Sequence, residues 1–272
     1  MMSILHMSDP HFGTERPEVV DALRILASRL APDAIVLSGD ITQRARRDQF
    51  RRARAFVDSL GTARALVVPG NHDIPLFDVG TRLLNPYREF SRAFGHGLEP
   101  ELEMEELLVL CVNTTSRFRH KDGVVSGPQI ARVASRLQLA RPDQLRVVVV
   151  HQPIAVMRVE DRKDQLQGAD RAVRSWAGAG ADLVLGGHIH YPYVLPLHIQ
   201  TDGLARRMWA VQAGTAVSTR VRPEADNSVN FIRYTFADGY RRAEIERWEW
   251  RPVLGQFERM HVDTLELDRT SA

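Results

Sequence analysis

The sequence contains very little cysteine. Its only cysteine, Cys111, cannot form an internal disulfide, and a metal site built from several thiolates is excluded as well. Cys111 lies within the apolar segment of residues 107–112, which predicts a buried core thiol rather than a reactive one. One buried thiol is consistent with a reducing compartment but does not require one.

The sequence also lacks long apolar runs and a strong net charge. No stretch of about 18 apolar residues is present, so a membrane-spanning helix is not expected. The formal net charge of +2 is too small to indicate nucleic acid as a partner. No signal peptide is recognised, because a polar motif already begins at Asp9. We therefore expect a cytoplasmic protein without a membrane partner, folded as a single domain over residues 1–272.

Five short polar motifs each follow a short apolar run rich in Val, Ile and Leu. In chain order, the motifs are Asp9-Pro10-His11, Gly39-Asp40, Gly70-Asn71-His72-Asp73, His151 and Gly187-His188-Ile189-His190. The apolar runs predict buried strands of an α/β sheet. Ligands of such sheets bind outside the carboxyl ends of the strands, so we expect the polar motifs to converge on one rim.

The side chains of these motifs suit metal ions. Imidazole, carboxylate and amide oxygen are ligands for Mn, Fe, Zn or Co. We expect Asp40 to bridge two ions, because its two carboxylate oxygens can each bind one. The first ion would be held by Asp9, His11, Asp40 and His190, and the second by Asp40, Asn71, His151 and His188. Two such ions generate a bridging hydroxide at neutral pH and leave the site positive, which favours attack on a phosphate group.

His72 and Asp73 are candidates for catalytic roles beside these ligands. His72 is next to Asn71 but is not needed as a ligand, so we expect it to protonate the leaving-group oxygen or to stabilise the transition state. Two interpretations of Asp73 stay open. It orients the imidazole of His72, or it is a turn or helix-cap residue.

With these motifs, the chain resembles the calcineurin-like metallophosphoesterase superfamily from residue 9 to residue 190. The two longest motifs, together with residues 213–220, look most like the bacterial class III cyclic-nucleotide phosphodiesterase branch, which includes glycerophosphodiesterases. The resemblance implies a four-layer α/β/β/α sandwich of two mixed sheets, a centre of two metal ions and phosphoester hydrolysis. Ile41-Thr42-Gln43 replaces the Asp-Arg-Gly of protein Ser/Thr phosphatases, which argues against a phosphoprotein substrate.

Two loops are candidates for substrate recognition. The first, residues 113–121, offers Asn113, Arg117 and Arg119 as phosphate-binding groups, although a solvated loop is the alternative. The second begins at Arg220, which follows the turn at residue 214 and is expected near the rim.

The remaining segments have clear periodic patterns. Helices are predicted over residues 17–30, 44–60, 128–139 and 165–177, with a helical insertion over residues 76–94 that either covers the site as a lid or only packs. From residue 192 the pattern becomes β-like and predicts an antiparallel second sheet. Residues 256–267 form either an edge strand or part of a homodimer contact. The arginines of residues 44–60 favour a solvated helix face over a nucleic-acid surface.

A phosphodiesterase for a small phosphodiester is the leading hypothesis, and three alternatives are weaker. A phosphomonoesterase or a nuclease would use the same ligands, but a nuclease also needs a basic groove. A non-catalytic scaffold would typically lack metal ligands, whereas all seven are present here. Enzymes for lipid-linked pyrophosphates usually carry arginine in place of His72.

Overall fold

The computed structural model describes residues 2–61 and 64–268. The strands in these ranges are β1 (Met2–Met7), β2 (Ala34–Leu37), β3 (Ala65–Val67), β4 (Glu101–Met104), β5 (Leu107–Cys111), β6 (Leu145–Val149), β7 (Leu183–Gly186), β8 (Tyr193–Pro196), β9 (Trp209–Gln212), β10 (Ser228–Ala237), β11 (Tyr240–Arg251) and β12 (Gln256–Glu266). The helices are α1 (Pro17–Leu30), α2 (Arg47–Asp58), α3 (Val79–Leu84), α4 (Arg88–Phe94), α5 (Gly127–Gln138), α6 (Ala169–Ala179) and α7 (Leu197–Gln200). Short 3-10 helices occupy Asn71–Asp73 and Val159–Asp164.

The strands form two mixed sheets of six strands each. The first sheet has the order β12-β11-β10-β1-β2-β3, in which β1, β2 and β3 are parallel and the other pairs are antiparallel. The second has the order β4-β5-β6-β7-β9-β8, in which β5, β6, β7 and β9 are parallel. The two mixed sheets implied by the resemblance are confirmed.

The two sheets face each other, and helices cover their outer faces. Neighbouring residues of one strand point into different cores, as the period of two requires. In β1, Ile4 packs between the sheets, whereas Leu5 packs toward α1 and α2. Val147 of β6 likewise lies between the sheets, and Val148 packs toward α5 and α6. This order of layers is the α/β/β/α sandwich, and burial on both faces explains why central strands such as β2, β5 and β7 are almost continuously apolar.

The predicted antiparallel second sheet after residue 192 is wrong. Strands β10, β11 and β12 extend the first sheet beside β1, while β8 and β9 complete the second sheet, where β9 runs parallel to β7. The alternating pattern identified these strands, but it does not specify their partners. Strand β12 lies at the edge of the first sheet, which confirms one of the two interpretations of residues 256–267.

The helices differ from the predicted ranges mainly at their ends. Helix α6 begins at Ala169 rather than at residue 165, because Gly168 adopts a left-handed conformation with φ of 90°. Residues 76–94 form two short helices instead of one, with a break at Pro86, where proline disfavours helix in the preceding residue. Within the described ranges, none of the helices has the length and apolar composition that crossing a membrane requires.

Candidate metal centre

The predicted metal ligands converge where strands of both sheets end. Asp9, Asp40 and Asn71 follow β1, β2 and β3 of the first sheet. His151 and His188 follow β6 and β7 of the second sheet. The carboxyl ends of the strands therefore meet at one rim, and the site spans the gap between the two sheets.

One group of ligands surrounds the side chain of His11. One ligand atom from each of Asp9, His11, Asp40 and His190 lies within 4.8 Å of the others. The Nε2 atoms of His11 and His190 are 3.2 Å apart, and Oδ1 of Asp9 lies 3.2 Å from Nε2 of His190. Oδ2 of Asp40 lies 3.7 Å from Nε2 of His11. These four residues are the set expected around the first ion.

A second group surrounds His151 and shares Asp40 with the first. Asp40, His151 and His188 again place ligand atoms within 4.8 Å of one another. Oδ1 of Asp40 lies 3.3 Å from Nε2 of His151, and Oδ1 of Asn71 lies 3.2 Å from the same nitrogen. Asp40 therefore directs one carboxylate oxygen toward each group, which is the geometry expected of a bridging residue.

The backbone of the ligand residues adopts an uncommon conformation. Five of them have φ in the left-handed region: Asp9 (53°), His11 (42°), Asp40 (49°), His188 (73°) and His190 (58°). Non-glycine residues rarely adopt it, and such residues cluster at functional sites. Each sharp turn directs its side chain from the end of a strand into the space between the sheets.

Hydrogen bonds to backbone carbonyls orient two of the imidazoles. Nδ1 of His151 lies 2.8 Å from the carbonyl oxygen of Ser38, and Nδ1 of His190 contacts the carbonyl oxygen of Arg220. A ring that donates from Nδ1 leaves Nε2 free for a metal. Gly39, with φ of 103°, makes the first contact feasible, because a Cβ atom there would lie 2.3 Å from Nδ1 of His151.

The donor atoms fit a bound cation better than they fit one another. The facing Nε2 atoms of His11 and His190 would oppose their lone pairs if both rings were neutral. Asp9 and Asp40 are buried, and the histidines around them are their ion-pair partners within 4 Å. Buried carboxylates require compensation, and a metal ion shared with neutral imidazoles supplies it.

The electrostatics of these side chains follow from burial and from the two carboxylates. Burial alone would raise the pKa of Asp40, but the facing His151 and His72 hold it below its ordinary value. Burial would lower the pKa of His151, yet Asp40 raises it to about 9. Burial lowers the pKa of His188 to about 3. This raised pKa favours a protonated His151 at neutral pH, so a metal ion that bound at its Nε2 would displace a proton.

The carboxylate of Asp73 connects two loops through hydrogen bonds. Its Oδ2 accepts hydrogen bonds from the backbone N–H groups of Ile41 (3.0 Å) and Gly70 (2.8 Å). Its Oδ1 accepts from the N–H and the hydroxyl of Thr42, both at 2.8 Å. These contacts are those of a turn or cap residue, and the part that Asp73 takes in catalysis stays a prediction.

His72 is held beside the metal ligands by other contacts. Its N–H donates to Oδ1 of Asp40 (2.8 Å), and its Nδ1 lies 3.0 Å from the carbonyl oxygen of Gln43. Its Nε2 lies 3.1 Å from a guanidinium nitrogen of Arg220. Because a carbonyl only accepts, Nδ1 carries the proton, and Nε2 is the ring atom that faces the site.

A cleft of about 240 Å³ opens onto the two ligand groups. Its lining residues are Asp40, Asn71, His72, Lys121, Asp164, His188, Ile189, His190, Arg220 and Arg222. Sequence reasoning assigned no individual site role to Lys121, Asp164 and Arg222. Lys121 and Arg222 lie in the two loops that the sequence did indicate, whereas no motif marks Asp164, which lies 3.9 Å from Nε2 of His188.

The four predicted substrate-binding residues are placed differently. Arg220 lines the cleft, but Asn113, Arg117 and Arg119 do not. Asn113 accepts hydrogen bonds within its own loop, and Arg117 donates to the carbonyl oxygen of Leu83 (2.7 Å). Arg119 contacts a glutamine side chain. The structure brings only Arg220 to the predicted ligands.

A larger cleft of about 900 Å³ lies between α2 and α4, with no lining residue in common with the first. Arginines and two acidic residues line it: Arg47, Arg51, Arg54, Arg92, Asp48 and Glu89. Arg54 pairs with Asp58 at 2.7 Å, and Arg92 pairs with Glu89 at 2.6 Å. This compensation fits the solvated helix face that the sequence favours.

Comparison with known proteins places these motifs in a family context. Residues 2–192 match the family model described as calcineurin-like phosphoesterase. A probable cyclic nucleotide phosphodiesterase of Rhodococcus erythropolis is 26% identical over 204 residues, which cover 69% of this chain and 64% of the relative. A cAMP/cGMP dual specificity phosphodiesterase of Mycobacterium tuberculosis is 28% identical over 206 residues, which cover 69% of this chain and 61% of the relative. The chain thus spans less than two thirds of the length of these curated relatives.

The same fold occurs in a solved structure of low sequence identity. A purple acid phosphatase from yellow lupin seeds superposes with a TM-score of 0.73 at 12% identity. The match covers 97% of this chain and 53% of the lupin chain. At this identity, the similarity concerns the fold alone.

Proposed function

Because the chain belongs to the calcineurin-like phosphoesterase family, we propose that it is a metal-dependent phosphodiesterase that hydrolyses a small phosphodiester. A cyclic nucleotide or a glycerophosphodiester is the proposed substrate. The position of Asp40 supports this proposal most directly, because its two carboxylate oxygens face two different groups of histidines. The names of the two curated relatives support a diester over a monoester.

The proposed cofactor is a pair of divalent ions, drawn from Mn, Fe, Zn and Co. Two ions bound in this way supply a hydroxide nucleophile at neutral pH and stabilise charge on the attacked phosphoryl group. The first ion is assigned to Asp9, His11, Asp40 and His190, and the second to Asp40, Asn71, His151 and His188. Asp40 would keep the two ions close enough to act on one phosphate.

His72 is proposed to assist departure of the leaving group through its Nε2 atom, which must carry a second ring proton for this transfer because Nδ1 keeps its own. The hydrogen bond from Nδ1 to Gln43 fixes the ring, so that Nε2 lies on the cleft side. Arg220, in contact with the same nitrogen, is proposed to bind a phosphate oxygen through its guanidinium group. Lys121 is a further cation at the cleft, and it would add to the attraction for an anionic substrate.

The test is turnover of bis(p-nitrophenyl) phosphate compared with p-nitrophenyl phosphate, with Mn²⁺ added and after chelation. We expect hydrolysis that requires metal and prefers the diester, followed by turnover in a screen of cyclic nucleotides and glycerophosphodiesters. Asp40→Asn should abolish it, whereas Asp170→Asn, an exposed aspartate on α6, should retain it. Preference for the monoester would indicate a phosphatase, and activity that survives chelation or Asp40→Asn would contradict the proposed site.

A further inference from the structure

Two segments beside the cleft expose large apolar side chains. We call residues 75–84 and 116–121 together the apolar rim. Its apolar side chains and their exposed fractions are Phe77 (79%), Val79 (61%), Leu83 (46%), Leu84 (87%) and Phe118 (75%). Single exposed apolar residues are common on protein surfaces, but a group of neighbouring ones marks an interaction site.

Arginine side chains join the two segments of the rim. The guanidinium of Arg82 donates to the carbonyl oxygens of Pro75 (3.2 Å) and Arg119 (3.0 Å). The guanidinium of Arg117 donates in the opposite direction, to the carbonyl oxygen of Leu83 (2.7 Å). These reciprocal hydrogen bonds hold together the two loops that carry the exposed apolar side chains.

The rim borders the proposed active site. The ring of His120 lies 6.4 Å from the ring of His72, and the next residue, Lys121, lines the cleft. The guanidinium of Arg44 lies 5.5 Å from the ring of Phe77. A partner bound to the rim would therefore be close to the cleft entrance.

The charges of the rim are nearly all positive. The two segments contain four basic residues and a single carboxylate, Asp78; the basic residues are Arg82, Arg117, Arg119 and Lys121. The Asp78 side chain caps α3 by accepting a hydrogen bond from the N–H of residue 81 (2.9 Å). Large apolar side chains interleaved with cations are typical of protein surfaces that insert into the headgroup region of anionic membranes.

We propose that the apolar rim docks on a bilayer that contains anionic phospholipids. Phe77, Leu84 and Phe118 would enter the boundary between headgroups and acyl chains, and the arginines and Lys121 would contact lipid phosphates. A second copy of the chain fits this surface less well, because a two-fold interface would bring the cations of one copy close to the same cations of the other. The proposal replaces the sequence-based expectation of no membrane partner, and it does not depend on the proposed catalytic function.

Vesicle co-sedimentation of the full chain tests the proposal. We expect binding to vesicles of phosphatidylcholine mixed with phosphatidylglycerol and much weaker binding to phosphatidylcholine alone. Salt should weaken the binding, because the screening length falls from about 10 Å at 0.1 M to about 3 Å at 1 M ionic strength. Lack of binding to the mixed vesicles would overturn the proposal, whether or not the protein hydrolyses phosphodiesters.

Two double variants distinguish the contribution of the rim to vesicle binding from that of other exposed apolar residues. Leu84→Ser with Phe118→Ser should weaken binding by about ten-fold or more, since burial of one large apolar side chain accounts for about that factor. The matched control, Val253→Ser with Leu254→Ser, changes residues that are 97% and 55% exposed in the turn between β11 and β12, and it should bind like the unaltered protein. All four side chains are exposed, so unchanged melting temperatures should confirm that both variants fold.

Three further results would overturn the proposal. Equal loss of binding in both double variants would show that the rim has no special role. Analytical ultracentrifugation tests whether a second copy of the chain binds the rim instead. If the unaltered protein forms dimers that the Leu84→Ser and Phe118→Ser variant does not form, the rim is a self-association surface. If the rim variant folds only poorly, Leu84→Ser alone should still weaken vesicle binding, and unchanged binding would count against the rim.

Discussion

Asp40 is the residue on which both halves of the candidate site depend. Its side chain is buried, its backbone has φ of 49°, and its two carboxylate oxygens face His11 and His151. Oδ1 also accepts a hydrogen bond from the N–H of His72. One carboxylate thus positions the proposed metal ligands and the proposed proton donor relative to each other.

The proposed role of His72 gives a dependence on the leaving group. His72→Ala should reduce kcat strongly for an alkyl diester, by about 10² to 10⁴, because a poor leaving group needs a proton at its oxygen. The reduction should be much smaller for p-nitrophenol, which leaves without protonation. Measuring kcat for both esters distinguishes proton donation from a structural role, since misplacement of Asp40 would slow both reactions equally.

The raised pKa values of His151 and His190 predict how pH affects metal binding. Burial opposes the charge on both rings, but Asp40 raises the pKa of His151 to about 9, and Asp9 raises that of His190. Below pH 9 a metal ion must therefore displace a proton from His151, so affinity should rise about ten-fold per pH unit for each displaced proton. Calorimetry of Mn²⁺ binding in buffers of different ionisation enthalpy would count the protons, and affinity that is constant between pH 7 and 8.5 would contradict this assignment.

At the scale of elements, the turns after the strands determine the site. A Cβ atom on Gly187, which follows β7, would lie 1.8 Å from Oγ of Ser8 and 2.5 Å from Oδ2 of Asp9. Gly187→Ala should therefore displace Asp9 and weaken metal binding. Gly178→Ala is the matched control, since a Cβ atom within α6 meets open space and alanine favours helix. A Gly187→Ala protein with unaltered Mn²⁺ affinity would show that this turn does not position the ligand.

The loop contacts of Asp73 should appear in stability rather than in catalytic chemistry. Asp73→Ala leaves three buried N–H groups without an acceptor, which should lower the free energy of unfolding by about 3 kcal/mol. Asp78→Ala, at the exposed cap of α3, should have a smaller effect. Denaturant unfolding measures both. A loss for Asp73→Ala no larger than that for Asp78→Ala would mean that the two loops do not depend on this carboxylate.

The sequence predicts elements and ligand motifs well, because both are local properties. The strands before Asp9, Asp40 and His151 are short apolar runs, and each is buried in the structure as expected. Partners that are distant in the chain are harder to predict, as the place of β10 beside β1 illustrates. Asp164 reaches the cleft from a 3-10 helix that carries no motif, so only the fold reveals it.

At the scale of the whole molecule, the candidate site joins the two sheets. The first sheet contributes Asp9 and Asp40, and the second contributes His151 and His188. Ions bound between these residues would stabilise the native arrangement of both sheets, because binding to the folded state alone adds to its free energy of unfolding. The proposed membrane surface lies at the same end of the molecule, beside the cleft.

Metal stoichiometry tests most directly whether Asp40 is shared by two metal ions. Equilibrium dialysis of chelator-treated protein against Mn²⁺ should give two bound ions per chain. His151→Ala should retain one ion, because the group around His11 stays complete. One ion or none in the unaltered protein would contradict the shared site, as would two tightly bound ions in an Asp40→Asn protein.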